Sequence, residues 1–183
     1  APAWPRAALD CGAGIGRTAV GVLLRHKGVQ RVDLVEPAVQ LRRRARELLA
    51  GDGRARRFFA APLETFTPAA SYDLVWIQWA LMYLPDAEIV AFLRRCRLRL
   101  PPGAAVVVKE NVEDRRAGEE GLDLDALCAT RTAGHFEALF AKAGFHVALK
   151  RWQREWPTRD GCFPVAMWAL RAAAAGALAG GGP

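Results

Sequence analysis

The sequence predicts an α/β protein built on a mostly parallel β-sheet. Short apolar runs alternate with segments of helical periodicity along most of the 183 residues, and this alternation is typical of parallel sheets with helical crossovers. Near the C-terminus, two apolar runs at residues 145–153 and 162–171 follow each other without a helical segment between them. We therefore expect this last pair of strands to be antiparallel. The length suits one domain with a substantial core.

Seven strands and four helices are expected in all. The strands are predicted at residues 6–12, 32–36, 56–61, 72–80, 104–111, 145–153 and 162–171. The helices are predicted at residues 15–25, 38–51, 86–100 and 132–144. The run at 72–80 is almost entirely apolar, as is typical of a central strand buried on both faces. Helices are therefore expected on both faces of a seven-stranded sheet.

Composition argues against several classes of protein. The four cysteines show no CxxC spacing and the three histidines are dispersed, so no metal site is expected. No apolar run approaches the ~20 residues of a membrane span, and no membrane association is expected. The net charge of +7 comes largely from arginines on predicted helices, where a solvated face is the simplest interpretation. Nucleic acid is therefore not an expected partner. An acidic segment from Glu110 to Asp125 is either a solvated loop or a surface for a cationic ligand.

The segment LDCGAGIGR, residues 9–17, joins the first strand to the first helix through a glycine turn. Glycines let the backbone approach a ligand, and the helix N-terminus offers free N–H groups. The pattern has Asp10 before Gly12, Gly14 and Gly16, which differs from the GxGxxG of dinucleotide-binding proteins. Glu36 ends the second strand, where a carboxylate can accept both ribose hydroxyls. These features favour S-adenosylmethionine as the cofactor.

Several stretches resemble the eukaryotic protein α-N-terminal methyltransferases, a group of class I methyltransferases that modify the α-amine of proteins beginning X-Pro-Lys. The matching stretches are residues 9–17, 66–86 (FTPAASYDLVWIQWALMYLPD), 92–96 (FLRRC), 106–111 (VVVKEN) and, more loosely, 163–171. The resemblance implies a Rossmann-like class I fold. It also implies a methyltransferase domain over residues 1–171 without the family's N-terminal cover segment. Residues 172–183 are of low complexity, and from this composition we expect a disordered tail.

The resemblance also implies a set of cofactor contacts. Arg17 is placed against the methionine carboxylate, although from the sequence alone it could equally cover the helix surface. Glu36 stands where the family has an aspartate on the ribose, and the backbone of Leu63 is placed at the adenine edge. Gln78 needs a polar partner, which is either the ligand or a neighbouring backbone group. The implied cofactor-binding residues are Gly12, Gly14, Arg17, Glu36, Leu63 and Gln78.

The implied acceptor site departs from the family pattern. Trp79 matches a tryptophan that walls the substrate channel, and Asn111 matches an asparagine at the substrate N-terminus, although asparagine also commonly turns the chain at a strand end. Tyr83 replaces the family histidine, and a phenol, with a reference pKa of about 10, is a poor base at neutral pH. The family aspartate is best matched by Asp125 and next by Asp123. Tyr83, Asn111 and Asp125 are therefore the predicted catalytic residues, and Trp79, Asn111 and Asp123 the predicted substrate contacts.

The predicted function is methyl transfer from S-adenosylmethionine to protein or peptide N-termini of the X-Pro-Lys type, in the cytoplasm, the nucleus or both. Two alternatives remain: a small-molecule N-methyltransferase, and a non-catalytic or weakly active regulatory partner, which the replaced histidine would favour. A nucleic-acid methyltransferase is disfavoured, because Asn111 is not followed by the proline and aromatic residues expected beside a flipped base.

Overall fold

The computed structural model describes residues 5–113, 121–123, 128–157 and 162–174, with the backbone alone for 121–123. The strands in these ranges are β1 (Ala7–Cys11), β2 (Arg31–Val35), β3 (Ala55–Phe59), β4 (Leu74–Gln78), β5 (Ala105–Glu113), β6 (Gly121–Asp123), β7 (Cys128–Thr132), β8 (Phe145–Trp152) and β9 (Val165–Ala172). The α-helices are α1 (Arg17–Gly21), α2 (Val39–Leu49), α3 (Asp86–Arg97) and α4 (Ala133–Lys142). Two 3₁₀ turns lie at Leu23–Arg25 and Leu81–Tyr83.

Seven strands form the main sheet in the order β3-β2-β1-β4-β5-β9-β8. The pairs from β3 to β5 are parallel, and β9 is antiparallel to both β5 and β8. This confirms the predicted seven-stranded sheet with its antiparallel C-terminal hairpin. The sequence did not predict the short antiparallel pair β6–β7, which extends the sheet from the end of β5. Its strand β6 lies within the acidic segment from Glu110 to Asp125.

The sheet separates two apolar cores, which confirms that helices cover both of its faces. One core combines α3 and α4 with one side of the strands, and it includes Ile89, Phe92 and Phe136. The other combines α1, the following 3₁₀ turn and α2 with the opposite side, and it includes Leu23 and Leu49. Neighbouring residues of one strand belong to different cores, as the alternation of side chains across a sheet requires. No helix in the described ranges is long and apolar enough to cross a membrane.

Parallel pairing brings the carboxyl ends of β1, β2 and β4 to one edge of the sheet. Cys11 at the end of β1 pairs with Val35 at the end of β2 and with Ile77 near the end of β4. Ligands of open α/β sheets bind outside the carboxyl ends of the strands. The glycine turn, Glu36 and Gln78 each lie at or directly after one of these ends, so the fold gathers them at one place. The predicted limits of the domain at residue 171 and of the tail at 172–183 stay predictions, since most of that tail lies outside the described residues.

Candidate active site

The glycine turn after β1 depends on left-handed backbone conformations. Gly12, Gly14 and Gly16 have φ angles of 71°, 55° and 85°, which side chains other than glycine rarely adopt. Gly12 is also held by a close approach, because a Cβ there would lie 2.5 Å from the Cβ of Ala80. The backbone N–H of Gly12 donates to the Val35 carbonyl at 3.0 Å. The turn is thus fixed between the end of β2 and the segment that follows β4.

Glu36 lies directly after β2 and is nearly buried, with 7% of its surface exposed. Its Oε2 accepts a hydrogen bond from Gly14 N–H at 2.9 Å, and its Oε1 accepts one from Ala38 N–H at 2.9 Å. Each carboxylate oxygen can accept a second hydrogen bond. The carboxylate is therefore oriented by the backbone and still able to accept hydroxyl groups from the cavity that it lines.

Asp10, the acid that precedes the turn, is a buried residue inside β1 with 1% of its surface exposed. Burial raises its pKa to about 7, a hydrogen bond from the Ala19 backbone opposes this, and the charge of Glu36 adds to it. Its Oδ2 has no hydrogen-bond partner among the described residues. Asp10 thus lies beneath the turn, next to the start of α1, and is not one of the residues that line the cavity.

One cavity of about 590 Å³ extends from the glycine turn to the segment after β4. Its volume falls in the usual range of small-molecule sites. It brings together most of the site residues predicted from the sequence, namely Gly12, Gly14, Arg17, Glu36, Leu63, Gln78, Trp79 and Tyr83. Pro37, Leu41 and Leu84, which were not predicted, also line it. These are apolar residues without a motif, and only Pro37 and Leu84 adjoin predicted site residues in the chain.

Leu63 lies in a short segment that α3 holds in place. Arg95 of α3 donates hydrogen bonds to the carbonyls of Leu63, Glu64 and Phe66 at 2.8, 2.7 and 2.9 Å. The Leu63 side chain is 5% exposed and belongs to the core around α3 and α4. Its carbonyl is therefore already a hydrogen-bond acceptor for Arg95, while the residue lines the cavity.

Gln78 is the last residue of β4, and its polar partner is a side chain. The Gln78 Oε1 accepts a hydrogen bond from the Trp76 indole N–H at 3.3 Å. The amide is thus satisfied on its oxygen, and the structure adds Trp76 to the two partners considered from the sequence. Its NH₂ group has two donors for a ligand in the cavity that it lines.

Trp79 does not lie on the strand, which corrects the predicted strand over residues 72–80. The strand β4 ends at Gln78, and Trp79 has a left-handed φ of 51°. Its backbone N–H donates to the Lys109 carbonyl at 3.0 Å, and its indole N–H donates to Asn111 Oδ1 at 3.1 Å. The Lys109 ammonium lies 5.0 Å from the centre of the indole. The backbone therefore turns at Trp79, and neighbouring groups from β5 fix the side chain.

Asn111 lies within β5, which continues to Glu113, so the alternative that it turns the chain at a strand end is wrong. It pairs with Val165 of β9. Asn111 is not among the residues that line the cavity, and it reaches the site through its hydrogen bond to Trp79. Its predicted contact with the substrate stays a prediction.

Glu110, between Lys109 and Asn111, has a structural role that the sequence analysis missed. It is completely buried, and its Oε1 accepts hydrogen bonds from the backbone N–H groups of Ala80 and Leu81, both at 2.8 Å. Burial raises its pKa to about 7, against the effect of those backbone hydrogen bonds. An acid inside the apolar run VVVKEN was the available signal, because a buried carboxyl group needs hydrogen-bond partners.

Arg131 of β7 holds the C-terminal end of the segment that follows β4. It is 2% exposed, it donates to the Leu84 carbonyl at 2.7 Å, and it forms an ion pair with Asp86 at 2.8 Å. His135 Nε2 lies 2.6 Å from the other Asp86 oxygen. Burial raises the pKa of Asp86, but the hydrogen bonds from His135 and Arg131 outweigh it and lower the pKa overall. Residues 79–84, which carry Trp79 and Tyr83, are thus attached to β5 and β7.

Tyr83 lies at the end of the 3₁₀ turn and lines the cavity, with 57% of its surface exposed. Asp125 lies outside the described residues. For Asp123 the structure gives only the backbone, which pairs with Cys128 in the β6–β7 hairpin. The catalytic and substrate-contact roles of these residues stay predictions.

The fold and the shape of the cavity are those of the class I S-adenosylmethionine-dependent methyltransferases. The sheet order and antiparallel hairpin, the glycine turn and the acid after β2 together belong to this class. The chain is a member of the family of AdoMet-dependent proline di-methyltransferases, whose family model matches residues 4–171.

Similar proteins agree with this assignment. The chain is 40% identical over 170 residues to alpha N-terminal protein methyltransferase 1 of Arabidopsis thaliana, covering 89% of this chain and 58% of that protein. It is 35% identical to N-terminal Xaa-Pro-Lys N-methyltransferase 1 of Rattus norvegicus, covering 90% of this chain and 71% of that protein. A solved structure of a SAM-dependent methyltransferase from Leishmania major is 37% identical, with a TM-score of 0.82 over 90% of this chain and 64% of that one. The chain thus spans less than two thirds of the Arabidopsis protein and of the Leishmania chain.

Proposed function

We propose that this protein transfers a methyl group from S-adenosylmethionine to the α-amino group of proteins that begin X-Pro-Lys. The observation that carries the proposal is one continuous cavity lined by both sets of predicted residues. We assign its first end, with the glycine turn, Glu36 and Gln78, to the cofactor and its second end, with Trp79 and Tyr83, to the acceptor. Membership of the proline di-methyltransferase family supports the same reaction. The name of the rat relative supports the X-Pro-Lys specificity.

The residues at the first end fit S-adenosylmethionine. Gly12 and Gly14 present backbone close to the cavity, and the Glu36 carboxylate has hydrogen-bonding capacity left for the ribose hydroxyls. Arg17 also lines the cavity, and a guanidinium group is well shaped to bind the methionine carboxylate in a bidentate manner. When bound, the cofactor supplies an electrophilic methyl group on a sulfonium.

The residues at the second end position the acceptor amine. An α-amine has a reference pKa of about 7.7–8.0, so it must lose a proton before its lone pair can attack. We assign removal of this proton to the carboxylate of Asp125, directly or through water, and we assign a wall of the substrate channel to Trp79 and Tyr83. The amide of Asn111, which is bonded to Trp79, would bind the substrate N-terminus. With the amine neutral and in line, the remaining requirement is positioning.

Mass spectrometry of a synthetic Ser-Pro-Lys peptide incubated with the protein and S-adenosylmethionine tests the proposal. We expect methyl mass on the α-amine, and none on the same peptide after N-terminal acetylation. Titration calorimetry with S-adenosylhomocysteine, run in parallel, establishes whether the cofactor end of the cavity functions.

Cofactor binding without methyl transfer to the Ser-Pro-Lys peptide would contradict the proposal and favour a regulatory partner or a small-molecule acceptor. Absence of cofactor binding would contradict the assignment of the glycine turn as well. Transfer to the acetylated peptide would move the acceptor from the α-amine to a side chain.

A further inference from the structure

A second tryptophan packs against Trp79. Trp156 follows β8 in the connection to β9, and its ring lies 6.0 Å from that of Trp79 with an angle of 37° between the planes. The Trp156 indole N–H donates to the Phe163 carbonyl at 2.9 Å. This hydrogen bond joins the two sides of the β8–β9 connection, and it therefore fixes Trp156 at the point where its ring contacts Trp79. Nothing in the matching sequence stretches includes Trp156.

Backbone strain is concentrated on both sides of this contact. Among the described residues, Trp79 and Glu155 are the residues other than glycine that have positive φ angles, 51° and 55°. Glu155 directly precedes Trp156. Such conformations cost about 1–3 kcal/mol each and persist only where the surroundings hold them in place. Two elements that are distant in sequence thus both accept strain at the point where their tryptophans meet.

The other contacts of Trp79 fix its backbone and one edge of its ring. The N–H to the Lys109 carbonyl holds the backbone, and the indole N–H to Asn111 holds the edge of the ring. Both partners belong to β5. Trp156 is the aromatic residue that packs against the Trp79 ring from outside β4 and β5. Without that contact the Trp79 ring would keep the hydrogen bond to Asn111 and the nearby Lys109 ammonium, and would lose its aromatic packing.

We propose that Trp156 is a positioning residue for the peptide substrate, which acts by holding the Trp79 indole in place at the acceptor end of the cavity. The inference rests on the proposed function, because it assigns to Trp79 a wall of the substrate channel. Among the described residues, Trp156 is not part of the cavity lining, and its ring and N–H contact Trp79 and Phe163. Its effect should therefore fall on the peptide and not on the cofactor.

The test compares Trp156→Ala, Trp156→Phe and a matched control, Trp152→Ala. Trp152 is the last residue of β8, it is exposed whereas Trp156 is half-buried, and its ring contacts Lys150. We expect Trp156→Ala to raise the KM of the Ser-Pro-Lys peptide about three- to tenfold, in line with the strength of an aromatic pair. The kcat and the Kd for S-adenosylhomocysteine should each change less than about twofold. Trp156→Phe should restore most of the KM, and Trp152→Ala should behave as wild type.

A spectroscopic readout accompanies the kinetics. Two indoles at this distance couple electronically, so the wild type should show an exciton couplet in circular dichroism that Trp156→Ala removes and Trp152→Ala retains. The inference is overturned if Trp156→Ala keeps the wild-type KM. It is also overturned if KM and cofactor Kd rise together, because that result indicates a general structural role. If the wild type binds cofactor but neither methylates nor binds the peptide in calorimetry, the proposed function itself fails and the inference fails with it.

Discussion

Glu36 Oε2 accepts a hydrogen bond from the backbone N–H of Gly14 at a distance of 2.9 Å. The carboxylate that we propose for the ribose therefore also holds the glycine turn that we propose for the rest of the cofactor. Its second oxygen accepts the Ala38 N–H at the start of α2. One side chain thus connects the end of β2, the turn after β1 and the first residue before α2.

Replacement of Glu36 by alanine should weaken cofactor binding strongly. The change removes two charge-assisted hydrogen bonds to the backbone as well as the acceptors for the ribose, and hydrogen bonds to charged groups contribute about 1.5–3 kcal/mol each. We expect the Kd for S-adenosylhomocysteine in calorimetry to rise by about tenfold or more. The exposed Glu47 in α2, changed to alanine, is the control. An unchanged Kd in Glu36→Ala would contradict the ribose assignment.

Gly12→Ala should destabilise the fold through a specific collision. The new Cβ would lie 2.5 Å from the Ala80 Cβ, and the φ of 71° is unfavourable for alanine. Overpacking of this kind costs about 1–3 kcal/mol, measurable by urea denaturation. Adding Ala80→Gly to the Gly12→Ala protein removes the collision and should restore part of the loss. Gly51→Ala is the control, because a Cβ there meets nothing within 4 Å. Equal effects at Gly12 and Gly51 would be inconsistent with this packing.

Glu110 should make stability depend on pH. Burial raises its pKa from 4.5 to about 7, so the folded state favours the protonated carboxyl. This contribution to the free energy of unfolding is fully present below about pH 4.5 and is lost as the pH rises through about 7. Between about pH 5 and pH 8, the wild type should lose about 2 kcal/mol more stability than Glu110→Gln, whose amide oxygen can still accept the two N–H bonds.

Urea denaturation at several pH values measures this difference. Glu64→Gln, a change at an exposed glutamate, should retain the pH dependence of the wild type. Asp10, whose pKa burial also raises to about 7, should leave part of the dependence in the Glu110→Gln protein. If the free energy of unfolding changed with pH in the same way for the wild type and Glu110→Gln, Glu110 would be ionised to the same extent in the folded and unfolded states, which contradicts the prediction.

Two variants distinguish whether Asp125 or Tyr83 accepts the proton. If the carboxylate removes the proton, Asp125→Asn should lower kcat about tenfold or more and leave the Kd for S-adenosylhomocysteine unchanged. Tyr83→Phe keeps the ring that lines the cavity and should retain kcat within about threefold. Methylation assays with the Ser-Pro-Lys peptide measure the kcat of both variants. The reverse pattern would place the phenol in proton transfer and move Asp125 out of the mechanism.

The cofactor end of the site was largely predictable from the sequence. Gly12, Gly14 and Glu36 lie at strand ends, and the alternation of apolar and helical segments is enough to place those ends at one edge of a parallel sheet. The seven main strands follow from the same pattern. Their limits were less accurate, and β4 ends two residues before the limit that its apolar run suggests.

The acceptor end was harder to predict because it depends on long-range contacts. The left-handed turn at Trp79 leaves no mark in an apolar run, since it is set by the Lys109 carbonyl and the Asn111 amide of another strand. The contact between Trp79 and Trp156 joins residues 77 positions apart in the chain. The hydrogen bonds that Glu110 accepts from the N–H groups of Ala80 and Leu81, and the one that Arg131 donates to the Leu84 carbonyl, have no sequence pattern either.

The two ends of the cavity come from different parts of the chain. The end that we assign to the cofactor is formed mainly by residues 12–37, with Leu63 and Gln78, and the end that we assign to the acceptor by residues 79–84 with support from β5, β7 and Trp156. Gly12 and Ala80 form one contact between the two parts, and the pairing of β1 with β4 forms another. Substitutions at the acceptor end can therefore accumulate in evolution without loss of the cofactor end, provided that these contacts are kept. A lineage could exchange one methyl acceptor for another by drift in residues 79–84 and the strands that support them.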